Sequence, residues 1–473
     1  MDRIRRLVLQ IGVEIPLCIY TITSFFKTPV YQNLVYEKLC LERYNDSVFC
    51  SNITNYHEDK DLQTRYAHFY WLSIFVYIIP CLITTLLLAS DYWNAKVPLL
   101  IPFVGLFLNT INCITQSIYI SNNHYFLLIG DVCFGLCGGY ISVISTGMTY
   151  GVKTTHRSNR SYRIAGMDGA LGLGGTLGFA LSGTIRQAFG YAYAFSLMLF
   201  LQSLAILYII FMEKEIVDES TTSRVVEESY EDEENIRVSS PPVQQKLSLI
   251  FTGFSHMLST SRPTRTLIWI NLFGLGVEFF LFLGLGEIQY SYLRYKFAWG
   301  DVEFGWFSGI TFGLSTVAMF LLYPYLRFRG LSDAQLSCLG TVTKIISVLL
   351  MAFLFNKKMI YSVIVASMFN RFIAAGFRSF LSTLIGNDEQ GMMFSLTGLL
   401  EGVTTLLSAA IYSGLYPLTL SFFPGLLYLV SGILLCPSVA ILSYSDWKMR
   451  KIQVEDRNYE PVQAGEPDGA PNE

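Results

Sequence analysis

The chain carries Ile164-Ala-Gly-Met-Asp-Gly-Ala-Leu-Gly-Leu-Gly-Gly175, an apolar, glycine-rich stretch that holds a single carboxylate, Asp168. A carboxylate inside hydrocarbon is costly unless it is paired, hydrated or neutralised by a proton. If such a group gains and loses a proton within a membrane protein, it is a candidate coupling site. The stretch therefore raises two questions: whether the chain spans a membrane, and whether protons drive the movement of a solute through it.

The composition of the chain answers the first question. Of its 473 residues 52% are hydrophobic and only 15% are charged, against about 25% charged in an ordinary soluble protein. The apolar residues are gathered into runs of about 20, the length that crosses a bilayer. A net charge of −3 gives no indication of nucleic-acid binding. We therefore predict an all-α membrane protein that is surrounded by the lipid bilayer and binds no nucleic acid.

The hydropathy pattern predicts twelve membrane-spanning helices, called spans one to twelve below. They are expected at residues 7–27, 68–90, 97–119, 125–149, 164–185, 190–212, 267–291, 304–325, 332–354, 359–382, 393–416 and 421–444. Residues 213–265 are acidic and polar, and they lack the apolar content to fold alone, so we predict a disordered linker. This order predicts two lobes of six helices, 1–212 and 266–445, followed by a tail at 446–473. Such lobes rock around a midplane site.

The basic residues of the short loops predict the orientation. They precede span one, separate spans four and five, and follow spans eight and twelve, which places them all on one side. The group consists of Arg3, Arg5, Arg6, Lys153, Arg157, Arg160, Arg163, Arg327, Arg329, Lys448, Arg450 and Lys451. The positive-inside rule makes that side cytosolic, together with the linker and both termini. Two smaller basic groups, Arg294 with Lys296 and Lys357 with Lys358, are expected outside.

The hydrophilic segment 28–66, between spans one and two, is then expected to face away from the cytosol. It contains two glycosylation sequons, at Asn45 and Asn52, and we predict that both are modified. It also contains Cys40 and Cys50. In an oxidising compartment we predict a disulfide between them, with two free thiols or a bridge to another loop as the alternatives.

Several stretches resemble a known family. They are Arg163-Ile-Ala-Gly-Met-Asp-Gly-Ala-Leu-Gly172, Gly376-Phe-Arg-Ser-Phe-Leu-Ser-Thr-Leu-Ile-Gly-Asn-Asp-Glu-Gln-Gly391, Tyr416-Pro-Leu-Thr-Leu-Ser-Phe-Phe-Pro-Gly425 and Cys50-Ser-Asn-Ile-Thr54. Asp91-Tyr-Trp-Asn-Ala-Lys96 resembles a decayed form of the major facilitator loop motif. Together they resemble the proton-coupled folate transporter family, which includes the thymic stromal cotransporter and a lysosomal branch. The resemblance implies the major facilitator fold.

The resemblance also implies roles for single residues. Asp168 matches an acidic position of span five that takes part in proton coupling, and Arg378 matches a span-ten arginine implicated in proton and substrate binding. Glu401 matches an acidic residue of the lysosomal branch. The folate transporter has a functional histidine in span seven, where this chain has Leu281. That departure puts folate in doubt and leaves folate-like and peptide- or muropeptide-like anions as alternatives.

The charges of span ten point to anion binding. Arg371 and Arg378 are seven residues apart and share one helix face. A buried arginine needs an anionic partner, and its planar fork suits carboxylates. We predict that both bind substrate, although each could instead pair with a carboxylate of the protein.

The acids of span seven are further candidates for proton coupling. Glu278 and Glu287 are nine residues apart, which is two and a half helical turns, so they point to opposite faces. We expect at most one of them to reach a central cavity. One of Glu278, Glu287 and Glu401 is then predicted to share the proton-coupling role with Asp168.

From the sequence we predict a proton-coupled symporter of a small organic anion that works by alternating access. We place it in the plasma membrane or an endolysosomal membrane, with protons as the coupling ion and no other cofactor or metal. The alternative is a non-transporting membrane receptor or scaffold that retains the fold. An enzyme is not expected, because none of the five histidines lies in a cluster with acids or cysteines.

Overall fold

The computed structural model describes residues 12–88, 96–154, 160–212, 259, 264–385 and 390–459, and this part is nearly all helical. The helices of the first half are Glu14–Tyr44, Ser47–Ser51, Lys60–Leu88, Lys96–Ile118, Leu127–Leu136, Gly139–Lys153 and Arg160–Phe211. Those of the second half are Arg265–Phe297, Asp301–Val317, Tyr323–Phe328, Asp333–Ala352, Met359–Ala366, Asn370–Thr383, Gln390–Thr419 and Leu426–Tyr459. Almost all of the predicted linker, 213–265, lies outside the described residues, as do 460–473 of the predicted tail.

Ten helices of the described part are long and apolar enough to cross a membrane. One of them, Gly166–Phe211, has 46 residues. Its length of about 69 Å is more than twice the roughly 30 Å of a bilayer core. Gly190 interrupts it with φ 82° and ψ 173°, so predicted spans five and six lie on either side of this glycine. The all-α membrane class is confirmed, while the count of twelve spans stays a prediction.

Span one is longer than the sequence predicted. Its helix runs to Tyr44 rather than ending near residue 27, and most of its residues from Pro29 to Cys40 are buried. The reason is contact with span seven: the Tyr36 hydroxyl donates to Ser291 Oγ at 2.9 Å. Because the second half of the protein covers these polar residues, they need not face solvent. The predicted hydrophilic segment 28–66 is therefore helical up to Tyr44 and again from Lys60.

The segment 45–59 marks one end of the helix bundle, which we call the disulfide side. The predicted disulfide is present: Cys40 and Cys50 are bridged, with their Cα atoms 5.8 Å apart. Both sequon asparagines, Asn45 and Asn52, are exposed, and their glycosylation stays a prediction. The segment is also fastened to span one, since Arg43 Nε lies 3.1 Å from Asp59 Oδ2.

Replacing Cys40 and Cys50 together by serine should lower the free energy of unfolding. The bridge joins residues 10 apart, and closing so short a loop contributes about 2–3 kcal/mol. Thermal unfolding of the purified protein in detergent would show the loss as a lower melting temperature. Cys18→Ser, which removes a free thiol, is the control and should leave the melting temperature unchanged. An unchanged value in the double variant would mean that the other loop contacts suffice.

Glycines allow span five to approach its neighbours closely. A Cβ on Gly174 would lie 2.6 Å from the carbonyl oxygen of Cys18 in span one, and one on Gly183 would lie 2.3 Å from the backbone nitrogen of Val302. Neither site has room for a side chain. The glycine-rich stretch is thus a packing surface, and it sets the face that carries Asp168 next to the second half of the protein.

Candidate functional site

Five polar side chains from both halves of the chain form what we call the central cluster: Tyr140, Asp168, Arg371, Arg378 and Glu401. Asp168 lies within electrostatic range of both arginines. Tyr140 lies within range of Arg371, Asp168 and Glu401. The structure therefore brings Arg371 and Arg378 of span ten and Glu401 of span eleven together with Asp168 of span five, and it adds Tyr140, which the sequence did not single out.

The arginine nearest a carboxylate in this cluster is Arg378. Its Nη2 donates to Glu401 Oε2 at 2.8 Å, and the two side chains are 39% and 42% exposed. The same guanidinium lies 5.4 Å from the centroid of the Phe279 ring. Water therefore reaches the pair, and an ion pair in contact with water exchanges partners readily. Of the two roles predicted for Arg378, the structure shows pairing with a carboxylate of the protein.

Asp168 and Arg371, the other two charged residues of the central cluster, form no ion pair of this kind in the described structure. Asp168 is exposed. Arg371 stacks on an aromatic ring, with its guanidinium carbon 4.4 Å from the centroid of Phe312. Within the described residues, neither Asp168 nor Arg371 makes a hydrogen bond or an ion pair. Arg371 is thus available to an anionic ligand and Asp168 to a proton.

A break in span four positions Tyr140. The sequence predicted one helix over 125–149, but the structure ends a helix at Leu136 and starts another at Gly139. Gly138 and Gly139 have φ of 88° and 51°, values that suit glycine. A Cβ on Gly139 would also lie 2.4 Å from the ring of Tyr77. The Tyr140 amide donates to the Tyr77 hydroxyl at 2.9 Å, which holds Tyr140 at the start of the new helix.

Aromatic rings line the space beside the cluster. The ring centroid of Phe25 lies 4.9 Å from that of Phe179, 5.2 Å from that of Phe312 and 6.2 Å from that of Tyr140. These four residues come from spans one, five, eight and four, and we call them the aromatic wall. Because Arg371 stacks on Phe312, the wall places an apolar surface next to a cation. An organic anion with a ring system matches both features.

The two acids of span seven lie elsewhere. Glu278 is buried and forms an ion pair with Lys344, which lies well inside helix Asp333–Ala352. Glu287 Oε2 is buried, and it has no hydrogen-bond partner among the described residues. Tyr66 and Tyr70 of helix Lys60–Leu88 lie within electrostatic range of it. Of the predicted second acids, only Glu401 lies in the central cluster.

Sequence reasoning missed several buried charges, and Asp131 and Arg294 are two of them. Asp131 accepts hydrogen bonds from Tyr31 at 2.8 Å, Ser73 at 2.6 Å and Asn109 at 3.1 Å. Arg294, expected in an exposed loop, is fully buried on the disulfide side. Polar residues within apolar runs were the available signal for Asp131. For Arg294, the tyrosines that flank it in the sequence were the available sign that it is buried among aromatic rings.

The described residues offer no set of three His, Cys, Asp or Glu side chains that could hold a metal ion. The chemistry of the central cluster is therefore that of two guanidinium groups, two carboxylates and a phenol. Such a set can bind an organic anion and exchange protons with water.

Comparison with known proteins places this geometry in a family. The Major Facilitator Superfamily model matches residues 43–409. The lysosomal proton-coupled steroid conjugate and bile acid symporter SLC46A3 of Gallus gallus is 24% identical over 448 residues, covering 91% of this chain and 93% of its own. The proton-coupled folate transporter of Bos taurus is 22% identical over 408 residues, covering 84% and 82%. The predicted family resemblance is thereby confirmed.

Solved structures agree on the fold. The human organic anion transporter MFSD10 (TETRAN) has a TM-score of 0.64 at 13% identity, covering 91% of this chain and 97% of its own. An auto-inhibited POT family peptide transporter has a TM-score of 0.60 at 12% identity, covering 96% and 98%. At such low sequence identities the structural similarity shows the fold and no more. Together with the matched family model, it shows that this chain belongs to the major facilitator superfamily.

Proposed function

We propose that this protein is a proton-coupled symporter of an organic anion that carries an apolar ring system. The observation that carries the proposal is the Arg378–Glu401 ion pair at 2.8 Å, beside Asp168 and in contact with water. An arginine held by a titratable carboxylate can exchange that carboxylate for an anionic ligand when the carboxylate takes up a proton. The relatives' names, a steroid conjugate and bile acid symporter and a folate transporter, both proton-coupled, support this reading.

In the proposed cycle protons and anion bind together. A proton on Glu401 removes the charge that faces Arg378 and frees its fork for a carboxylate or sulfate group. A proton on Asp168 removes the negative charge nearest to the arriving anion. Loss of both protons on the cytosolic side restores the Arg378–Glu401 pair and expels the anion. The cycle thus needs no group beyond the side chains of the central cluster.

The proton gradient supplies enough free energy for accumulation. Each proton contributes about 1.36 kcal/mol per pH unit and about 2.3 kcal/mol per 100 mV of membrane potential. A difference of about two pH units gives about 2.7 kcal/mol per proton. One proton that moves with a monoanion carries no net charge across the membrane, so the membrane potential adds nothing to this value. About 2.7 kcal/mol corresponds to a roughly hundredfold concentration ratio.

The aromatic wall supports the choice of substrate class. Phe25, Phe179, Phe312 and Tyr140 offer flat apolar surfaces next to Arg371. A steroid conjugate, a bile acid or a folate would place rings on this wall and its anionic group on the arginines. A muropeptide has anionic groups but offers no comparable ring system. For these reasons we rank peptide-like anions below ring-bearing ones.

Uptake measurements in cells that carry the protein at the surface test the proposal. A labelled steroid sulfate, a bile acid, folate and muramyl dipeptide would be offered at about pH 5.5 and about pH 7.4, roughly a hundredfold apart in proton concentration. We expect acid-stimulated uptake of at least one ring-bearing anion. Arg378→Lys should raise its KM about tenfold, equivalent to about 1.4 kcal/mol, because lysine cannot form the bidentate contact.

Arg329→Lys is the matched control, since Arg329 is exposed and contacts only the Tyr325 hydroxyl in the described structure. It should leave KM unchanged. Absence of acid-stimulated uptake for all four compounds would instead favour a membrane receptor or scaffold with this fold. Uptake of muramyl dipeptide alone would keep the symporter and overturn the ring-bearing substrate class.

A further inference from the structure

Arg294, near the disulfide side of span seven, is a buried cation without a carboxylate. It is 0% exposed, and among the described residues no Asp or Glu lies within ion-pair distance of it. Its Nη1 donates to Asn33 Oδ1 at 2.8 Å and to the Tyr290 hydroxyl at 3.1 Å, and its Nη2 donates to the Tyr56 hydroxyl at 2.7 Å. A buried charge is ordinarily paired with an opposite charge, so neutral partners alone are unusual.

Three tyrosine rings surround this guanidinium. Its carbon lies 4.4 Å from the ring centroid of Tyr36, 5.2 Å from that of Tyr56 and 5.9 Å from that of Tyr290. Burial raises the pKa of Tyr56, so its hydroxyl stays neutral. Arg294 Nε remains buried without a hydrogen-bond partner in the described structure. In direct contact the guanidinium therefore meets only dipoles and ring faces, and its Nε–H has no acceptor. The Asp301 carboxylate lies within electrostatic range of Arg294 but is hydrogen-bonded to Arg186.

The partners of Arg294 divide between the two halves of the chain. Asn33, Tyr36 and Tyr56 belong to the first half, whereas Tyr290 and Arg294 itself belong to span seven. A second contact between the halves lies in the same region, where Arg186 Nε donates to Asp301 Oδ2 at 2.7 Å. In alternating access the two lobes separate on one side at a time. Separation on the disulfide side would take Asn33 and Tyr56 away from Arg294 and expose its guanidinium.

We propose that Arg294 is a second anion-binding position, which receives the carboxylate or sulfate group of the substrate when the disulfide side opens. This inference rests on the proposed symport function. On closure, Asn33 Oδ1 and the Tyr56 hydroxyl replace the anion, and the substrate passes to the arginines of the central cluster. Neutral partners suit this exchange, because a carboxylate in their place would compete with the ligand at all times.

Asn33→Asp provides the sharpest test of the exchange. The substitution keeps the shape of the side chain and puts a permanent carboxylate where Oδ1 now lies, 2.8 Å from Arg294 Nη1. If Arg294 receives the substrate anion, the new carboxylate occupies it, and KM for acid-stimulated uptake should rise at least about tenfold. If Arg294 only fastens the closed state, the new ion pair would slow its reopening, so the maximal rate would fall and KM would change by less than the tenfold expected here; that result would overturn the proposal.

If the Asn33→Asp variant does not fold, two further variants test the same role of Arg294. Arg294→Lys keeps the charge but loses the planar fork, and KM should again rise. Arg186→Lys keeps the positive charge beside Asp301 and removes only the planar fork of that neighbouring contact between the halves, so it should change the maximal rate and leave KM within about twofold. An unchanged KM in Arg294→Lys would overturn the anion-binding role.

Uptake by the wild-type protein, measured in the same experiment, separates failure of the proposed symport function from failure of the anion-binding role of Arg294. If it shows no acid-stimulated uptake, the proposed function fails and this inference fails with it. If it transports normally while both the Asn33→Asp and Arg294→Lys variants keep the wild-type KM, only the role of Arg294 is overturned.

Discussion

Replacing Asp168 by asparagine should abolish concentrative uptake while leaving the protein folded and able to exchange substrate. Asparagine has nearly the size and shape of a protonated aspartate but cannot release a proton. Asp168 is exposed and makes no hydrogen bond or ion pair within the described structure, so the substitution breaks no contact. The roughly hundredfold accumulation that a proton can drive should fall to about equality across the membrane.

Two measurements on the Asp168→Asn variant separate coupling from binding. Net uptake against external pH should lose its acid stimulation, and exchange of labelled for unlabelled substrate at equal pH should continue. Glu58→Gln, a change of the same kind at an exposed residue of the 45–59 segment, is the control and should keep the wild-type pH profile. Full acid-driven accumulation in Asp168→Asn would move the coupling role to Glu401 or Glu287.

The fold was predictable because hydropathy and turn residues are local properties of the sequence. Runs of apolar residues predicted the membrane helices, and the placement of Cys40 and Cys50 in a segment expected to face an oxidising compartment predicted their disulfide. The predicted end of span one, at residue 27, was wrong for a physical reason. Its continuation to Tyr44 is polar in composition, and only its burial against span seven, for example at the Tyr36–Ser291 hydrogen bond of 2.9 Å, allows it to remain helix inside the bundle.

The central cluster was predictable in part. The cost of a charge within a membrane singles out Asp168, Arg371, Arg378 and Glu401 whatever their partners are. The choice of partner was left open, because Arg378 and Glu401 come from different helices and their 2.8 Å contact depends on how these helices pack. Tyr140 carried no charge to mark it. Its position depends on the helix break at Gly138 and Gly139. Hydropathy is averaged over many residues and does not show such a break.

Charges near predicted span ends were the least predictable. Hydropathy places a charged residue at the edge of a span and assumes that it reaches water. Arg294 contradicts that assumption, since it is buried among tyrosines. Lys344, within span nine, is likewise buried, against Glu278. Glu278 is distant from Lys344 in sequence, and Asn33, Tyr36 and Tyr56 are distant from Arg294. A single sequence without its packing gives no means of pairing them.

Replacing Lys344 by methionine should remove most of the folded protein. Lys344 and Glu278 form an ion pair in which the side chains are 4% and 5% exposed. Loss of the lysine leaves the Glu278 carboxylate buried without its cation, and breaking a buried pair from one side costs about 3–5 kcal/mol. The amount of monodisperse protein in detergent and its melting temperature measure the effect. Lys357→Met, at an exposed lysine, should change neither.

The double variant Glu278→Gln with Lys344→Met decides between the two roles of Glu278. Removing both charges together avoids an unpaired buried ion, so most of the folded protein should return. The predicted role of Glu278 in proton coupling requires that this folded variant loses acid-driven accumulation. Its burial against Lys344, away from the central cluster, leads us to expect that accumulation persists. Folded protein without accumulation would restore Glu278 as a coupling residue and would require a proton path through the second lobe.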